Sequence, residues 1–348
     1  MKKKIAVLFG GASSEYEVSL KSAYAVLKSM DVKYEIIPIG ITKQGQWFKY
    51  NGSLEKLLDD TWYKNKNNLV SAIISPDRRL KGMIEFRENE NIQVKLDAVF
   101  PILHGKNGED GTVQGLIELA GIPLIGCGSL SSALSMDKDR AHRQVKTHGI
   151  EVPSGIVINK THLANLKDMT AGLVYPLFIK PLKSGSSFGI NKIKGNEDLE
   201  SAVLEALKFD RDIIIEENIE GFEVGVGIIG NDELKAGSID EIEIIEGFFD
   251  YKNKYSNGSA IIHSQARIDD KIKARIEDAA KTIYRALACK GFTRVDMFLT
   301  PEERIVFNEV NTIPGFTENS RFPGMMKAID MSFEELVETI IQLGLRNE

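Results

Sequence analysis

Cysteine is scarce in this chain: Cys127 and Cys289 are the only two among 348 residues. Neither has a His or a second Cys near it in sequence, so core packing is the expectation rather than a disulfide or a zinc site. Excess positive charge is missing too. A formal net charge of −6 leaves no overall basic surface, so nucleic acid and anionic membrane are not expected as partners. Lys2-Lys3-Lys4 is only a short solvated lead into the first strand. Long apolar runs are absent: Ile5 to Phe9 stops at Gly10-Gly11, too soon for a secretory hydrophobic region or a membrane span, and the expected compartment is the cytoplasm. The order G-x-x-x-x-G-K-[ST] does not occur, and no G-x-G-x-x-G follows the first strand, which argues against ordinary P-loop and dinucleotide enzymes. There is no internal repeat and no low-complexity tract.

What is present reads as α/β throughout. With 43% hydrophobic and 27% charged residues, a chain of this length buries large cores and splits into two or three domains. Ile5 to Phe9 reads as a buried strand, Gly10 to Ser14 as a turn and Val18 to Met30 as an amphipathic helix, the first unit of an open parallel sheet. Further strands are expected at Tyr34 to Ile41, Leu96 to Leu103 and Ile122 to Ile125, with a helix from Gly111 to Leu119. A helix starting at Ser129 is expected to contain Met136-Asp137-Lys138-Asp139-Arg140. Later come strands at Leu177 to Pro181 and Ile213 to Glu217, and helices at Asp198 to Leu207, Asp270 to Ala288 and Ser332 to Leu343.

The strongest chemical signal lies near the C-terminus. Thr293 to Asn311 reads as a β-hairpin, with Thr300-Pro301-Glu302-Glu303 as its loop. That loop sets Leu299 against Arg304, Asp296 against Phe307 and Arg294 against Glu309. Side chains two apart on a strand share a face, and diagonal neighbours lie within ~7–8 Å, so Arg294, Asp296, Glu309 and Asn311 converge on one surface. Two carboxylates and an amide suit Mg²⁺ bound together with a phosphate substrate. An acidic, solvated strand face is the plainer alternative, and a one-residue change in the loop would reverse the facing of one arm.

A second signal is the loop Lys180-Pro181-Leu182-Lys183-Ser184-Gly185-Ser186-Ser187-Phe188-Gly189, where glycines admit an anion to the backbone N–H groups and Lys residues add charge. A bare Gly/Ser hairpin would look similar. Glu216-Glu217 end an apolar strand and suit either adenine and ribose or water. The polar stretch 243–263, with Phe249, Lys254 and Tyr255, has the composition of an active-site lid, Lys254 being within reach of a phosphate.

Taken together, five ordered motifs resemble the D-alanine:D-alanine ligases of the ATP-grasp superfamily. They are Gly10-Gly11 with Glu15-Tyr16-Glu17-Val18-Ser19, His104-Gly105-Lys106-Asn107-Gly108-Glu109-Asp110-Gly111, Met136-Asp137-Lys138, Gly185-Ser186-Ser187-Phe188-Gly189, and Glu309-Val310-Asn311-Thr312-Ile313-Pro314-Gly315. The resemblance implies an α/β fold of three domains: an N-terminal open-sheet domain over 1–126 that binds the first D-alanine, a central ATP-grasp domain over 127–215, and a C-terminal one over 216–348 carrying the lid. It implies ATP as co-substrate and two Mg²⁺ ions, or Mn²⁺ in their place, on Asp296, Glu309 and Asn311. By the same resemblance Lys138 and Lys180 contact phosphates, Glu223 the ribose, and Glu216 with the backbone near Glu217 and Ile219 the adenine. Glu15 holds the ammonium of the first D-alanine, supported by Ser186 and Tyr255. Arg294 and the N–H of Gly315 stabilise the tetrahedral oxyanion, His104 neighbours the reacting phosphate, and Ser320 holds the carboxylate of the second substrate. A homodimer through the N-terminal domain is also implied.

One position departs from the family's common pattern. Where ligases of D-alanine carry Leu or Met after the serine, this chain has Ser320-Arg321, which resembles the D-alanine:D-serine ligases of vancomycin resistance. A guanidinium able to donate to a hydroxyl suits D-serine, with Phe249 and Asp240 as further candidates for the same pocket. Arg321 could instead pair with Glu318 or turn outward. The presence of Tyr255 argues against a D-lactate ligase. A housekeeping D-alanine:D-alanine ligase, and a nucleotide-binding regulator on a decayed scaffold, are the other readings.

Overall fold

The computed structural model describes residues 2–185, 189–244 and 260–346, arranged around three sheets. Ser186, Phe249, Lys254 and Tyr255 lie outside the described residues. In the first sheet, β1 (Lys4–Gly10) is flanked in parallel by β2 (Glu35–Ile41) and β7 (Ala98–Leu103). Ile5 to Phe9 are all fully buried. They serve two cores: Ile5, Val7 and Phe9 face the helix Tyr16–Ser29, while Ala6 and Leu8 face the helix Thr112–Ala120. A strand covered on both faces has to be apolar at every position, which is why it reads as a continuous run. Beyond β2, the strands β3 (Trp47–Tyr50), β4 (Leu69–Ile74), β5 (Gly82–Phe86) and β6 (Asn91–Lys95) extend the sheet as an antiparallel meander. The strand expected at 122–125 contributes one parallel bridge, Leu124 to Val99. Pro123 has no N–H to give, so pairing stops at the bonds its carbonyl and the Ile125 N–H make to Val99.

The second sheet runs β10 (Asn191–Ile193), β9 (Leu177–Pro181), β11 (Asp212–Glu217) and β8 (Gly155–Asn159). The third runs β14 (Ala260–His263), β13 (Leu234–Ile244), β12 (Phe222–Gly230), β15 (Gly291–Leu299) and β16 (Ile305–Asn311). The single helix expected from Ser129 is two, Ser129–Met136 and Lys138–Lys146. Asp137 breaks it, leaving the helical region at ψ 101° while its carboxylate caps the second helix by accepting the Arg140 N–H at 3.1 Å. Cys127 and Cys289 meet as thiols in the core of the third sheet, where Cys127 also donates to the Lys290 carbonyl at 3.4 Å. No helix among the described residues is long and apolar enough to cross a membrane.

Candidate active site

The hairpin β15–β16 brings the C-terminal charges together by a different register from the one expected. Pro301, Glu302 and Glu303 make the loop: Thr300 N–H donates to the Arg304 carbonyl at 3.0 Å, and Glu303 takes a left-handed φ of 59°. This loop is one residue shorter than expected and on its own would turn one arm over. A β-bulge at Asn308 turns it back, so Met297 pairs with Phe307 but Asp296 with Glu309 and Arg294 with Asn311. The four side chains are direct cross-strand neighbours rather than diagonal ones. Arg294 grips Asp296 in a fork, Nε to Oδ1 at 2.8 Å and Nη2 to Oδ2 at 2.7 Å, and Asn311 Nδ2 adds a third bond to Oδ2 at 2.8 Å. Asp296 is buried beneath these donors, while Glu309 is more open and lies 3.8 Å from Lys138 Nζ.

A cavity of about 370 Å³ separates the second sheet from the third. Lys138, Lys180, Glu216, Glu217, Ile219, Glu223 and Glu309 all line it. Lys138 opens the helix after Asp137 and donates to the Ser184 carbonyl at 2.9 Å, which ties it to the Gly/Ser loop. Lys180 reaches across from β9 to Glu216 on β11 at 2.8 Å, and His142 Nδ1 lies 3.2 Å from the other oxygen. Burial pushes the Glu216 carboxyl up, yet the Lys180 ammonium and His142 outweigh it and hold the group below the usual carboxylate range. Both Glu216 oxygens are buried, one against Lys180 and the other against His142, while the residue still lines the cavity. Glu217 likewise spends its carboxylate on the Ser154 N–H, at 2.8 Å, leaving its backbone and Ile219 as the cavity's contribution there.

Glu15 precedes the helix Tyr16–Ser29 and is nearly buried. A Cβ on Gly105 would lie 2.4 Å from its Oε2, and a Cβ on Gly185 2.7 Å from the same atom. The carboxylate therefore fits between two loops only because both present bare glycine backbone, and it joins the first motif to the second and the fourth. His104 is buried against the Ser22 hydroxyl at 3.2 Å, and Ser22 Oγ accepts the Phe316 N–H at 3.2 Å. Burial lowers the His104 pKa to about 4, so the imidazole is neutral near pH 7. Glu109, which the sequence presented only as part of a motif, ties the same region to the hairpin's exit. Its carboxylate accepts the Gly105 N–H at 2.8 Å and the Ile313 N–H at 3.1 Å. Burial, with Glu15 beside it, raises its pKa to about 8.

Ser320 caps the short helix Arg321–Lys327, where its hydroxyl pairs with that of Thr317 at 2.8 Å and lies 3.2 Å from where a Cβ on Gly315 would be. Arg321 neither pairs with Glu318 nor turns outward. Its Nε donates to Asp240 Oδ2 at 2.6 Å, Nη2 to Asp240 Oδ1 at 2.8 Å and Nη1 to Glu223 Oε1 at 2.8 Å, with Asp296 Oδ1 3.5 Å from Nη2. Room for this comes from Gly225 on β12, where a Cβ would sit 2.5 Å from Arg321 Nη2 and 2.7 Å from Asp240 Oδ1. The alternating glycines of Val224-Gly225-Val226-Gly227 were the sequence signal for this close approach. The guanidinium expected to donate directly to a substrate hydroxyl is thus committed to three carboxylates.

Among the described residues no three Asp, Glu, His or Cys side chains cluster as metal ligands. The candidate set is Asp296, Glu309 and the Asn311 amide, hard oxygen donors whose number suits Mg²⁺ completed by phosphate oxygens and water.

Sequence models of the D-ala D-ala ligase N-terminus and C-terminus match residues 4–127 and 145–342. A D-alanine–D-alanine ligase of Caldicellulosiruptor bescii is 42% identical, the alignment covering 99% of this chain and 95% of that protein. The vancomycin/teicoplanin A-type resistance protein VanA of Enterococcus faecium is 40% identical over 99% of this chain and 98% of its own. Among solved structures, the VanG D-Ala:D-Ser ligase of Enterococcus faecalis is similar with a TM-score of 0.92 at 52% identity, covering 99% of this chain and all of that one.

Proposed function

The chain belongs to the D-alanine–D-alanine ligase family, and from that premise we propose that it joins D-alanine to a second D-amino acid, with D-serine preferred, using ATP. The carboxylate of the first D-alanine takes the γ-phosphoryl group to give an acyl phosphate and ADP. The amine of the second amino acid then attacks the acyl carbon, and the C–N bond forms as inorganic phosphate leaves and the amine loses its proton. Glu15 holds the ammonium of the first D-alanine. Lys138 and Lys180 exchange their carboxylate partners for ATP phosphates, with Glu223 on the ribose and the Glu217–Ile219 backbone on the adenine. Two Mg²⁺ ions, or Mn²⁺, held by Asp296, Glu309 and Asn311 supply charge neutralisation for phosphoryl transfer when bound. Arg294 and the Gly315 N–H face the tetrahedral oxyanion, a task worth about 3–4 kcal/mol per donor. Neutral His104 donates a hydrogen bond near the reacting phosphate. The product serves peptidoglycan synthesis with D-serine in place of a terminal D-alanine, as in vancomycin resistance. The working form is a homodimer in the cytoplasm.

The observation that carries the D-serine preference is the buried Arg321–Asp240 pair beside Arg294 and Asp296. The acceptor's side chain meets a wall of charge rather than a methyl-sized apolar slot. A hydroxyl can join that hydrogen-bond network, whereas a methyl leaves it unsolvated, a difference of ~1–3 kcal/mol. The test is phosphate release from ATP and Mg²⁺ with limiting D-alanine and added D-serine, D-alanine or D-lactate, each product identified by mass. D-Ala-D-Ser as the main product is expected. D-Ala-D-Ala alone would refute the preference and favour the housekeeping reaction named for the C. bescii relative.

A further inference from the structure

Arg321 spans two parts of the site. At one end its Nη1 holds Glu223, on the wall of the cavity between the second and third sheets. At the other end its Nη2 lies against Asp296 of the hairpin. Asp240 grips the middle of the guanidinium with two bonds and is itself anchored, its Oδ1 accepting the Gly225 N–H at 2.9 Å. The two anchors differ in reach. The Asp240 carboxylate is 1% exposed and sealed behind the helix Arg321–Lys327, whereas Glu223 keeps 14% of its side chain exposed, at the cavity. A ligand entering the cavity can therefore compete for Glu223 and cannot compete for Asp240.

We propose that Arg321 is a positioning residue through which the sugar of the bound nucleotide adjusts the acceptor pocket. Ribose hydroxyls that donate to the Glu223 carboxylate draw it toward the cavity and weaken its bond to Nη1. The guanidinium, hinged on Asp240, then turns Nη1 toward the second amino acid. Without a nucleotide, Nη1 stays on Glu223 and the acceptor pocket lacks that donor. The consequence is that the acceptor binds more tightly when the nucleotide's ribose hydroxyls are in place. This device rests on the ATP-dependent ligation proposed above.

The test uses the whole enzyme and compares ATP with 2′-deoxyATP and 2′,3′-dideoxyATP. The readout is the KM of the acceptor, D-serine or whichever D-amino acid the enzyme accepts, at saturating D-alanine and nucleotide. The acceptor KM is expected to rise about five- to tenfold as ribose hydroxyls are removed, with kcat changing less. In Glu223→Gln, which holds the guanidinium without a charge, the KM is expected to become the same with all three nucleotides. An acceptor KM that does not depend on the sugar in the unaltered enzyme would overturn the proposal, and that arm needs no variant to fold. A rise of equal size in Glu223→Gln would also overturn it, because the sugar would then act by another route. Absence of any ligation with ATP and D-alanine is a separate result, and it would remove the proposed function itself.

Discussion

Arg321→Leu gives the sharpest stability test of the site. Its guanidinium is 8% exposed and makes a bidentate pair with Asp240, at 2.6 and 2.8 Å, plus a bond to Glu223 at 2.8 Å. Among the described residues, replacing it by leucine leaves the buried Asp240 carboxylate with the Gly225 N–H as its hydrogen-bond donor and the Arg294 charge nearby. Removing one partner of a buried pair costs about 3–5 kcal/mol, mostly from the charge left behind. Most of that loss should return in the double variant Arg321→Leu, Asp240→Asn, because the stranded charge is then gone. Urea denaturation of the parent, both single variants and the double variant measures this as a coupling energy, expected to exceed about 2 kcal/mol. A loss below about 1 kcal/mol for Arg321→Leu would refute the claim that this pair is buried and mutually dependent. Selectivity is read separately, as the ratio of kcat/KM for D-serine to that for D-alanine, which does not depend on the fraction folded. It should fall about tenfold in Arg321→Leu.

Gly185→Ala should leave stability within about 0.5 kcal/mol, because the atoms nearest its Cβ belong to the carboxylate of Glu15, at 2.7 Å, the far end of a flexible side chain. Displacing that carboxylate should raise the KM of the first D-alanine roughly tenfold or more, and an unchanged KM would separate Glu15 from the ammonium. His104 is neutral when folded, with a pKa lowered to about 4 from 6.5 by burial. The unfolded chain therefore binds the extra proton first, and stability should fall as pH drops from about 6.5 to about 4. His104→Gln should flatten that slope in denaturation measured across the range. Glu109 acts with the opposite sign. Burial and Glu15 raise its pKa from 4.5 to about 8, so the folded protein holds a proton that the unfolded chain has released. Its contribution is full below about 4.5 and is lost as pH rises toward about 8. Glu109→Gln should remove that alkaline decline, and an unaltered profile would show that Glu109 is already ionised.

The parts of the fold that were legible in the sequence are those with one dominant period. β1 declared itself because both its faces are buried, and the final helix Phe333–Leu345 because its apolar stripe is regular and Ser332 and Glu335 cap it reciprocally. The antiparallel meander β3–β6 was not divided into strands: exposed Ile73 and Phe86 blur the apolar pattern of β4 and β5, and β6 alternates cleanly but over only five residues. The hairpin shows how a site can be identified while its geometry is misread. Loop chemistry suggested four residues, Glu303 closes it in three, and the bulge at Asn308 restores the facing. Two changes of one residue each cancelled, so Arg294, Asp296, Glu309 and Asn311 still share a face. No local rule places a bulge at Asn308. His142, packed against Phe307 and donating its Nε2–H to the Asn308 carbonyl at 2.9 Å, is the tertiary contact that occupies it. Partner choice was similarly out of reach: the family resemblance marked Lys180, Glu216, Glu223, Asp240 and Arg321 as site candidates, but not which carboxylate would meet which cation.

That pairing bears on how the site can work at all. Among the described residues, each cation assigned to phosphate or oxyanion already holds a carboxylate: Lys138 with Glu309 at 3.8 Å, Lys180 with Glu216 at 2.8 Å, Arg294 with Asp296 at 2.7 Å. Three unpaired cations in a water-poor cleft would repel one another and cost several kcal/mol each to desolvate. Internal pairing avoids that cost and keeps the side chains near their working positions. It also sets a condition on the nucleotide, which must arrive with enough charge of both signs to replace the broken pairs. In the proposed reaction the phosphates would take over the lysines, and Glu309 and Asp296 would hold the metal that accompanies them. Either alone leaves one sign stranded. Nucleotide without divalent metal should therefore bind much more weakly than the metal complex, by about tenfold or more for each buried carboxylate left facing a phosphate. Calorimetric titration with ATP in EDTA against ATP with Mg²⁺ measures the difference, and equal affinities would mean that the carboxylates of the hairpin do not meet the phosphates.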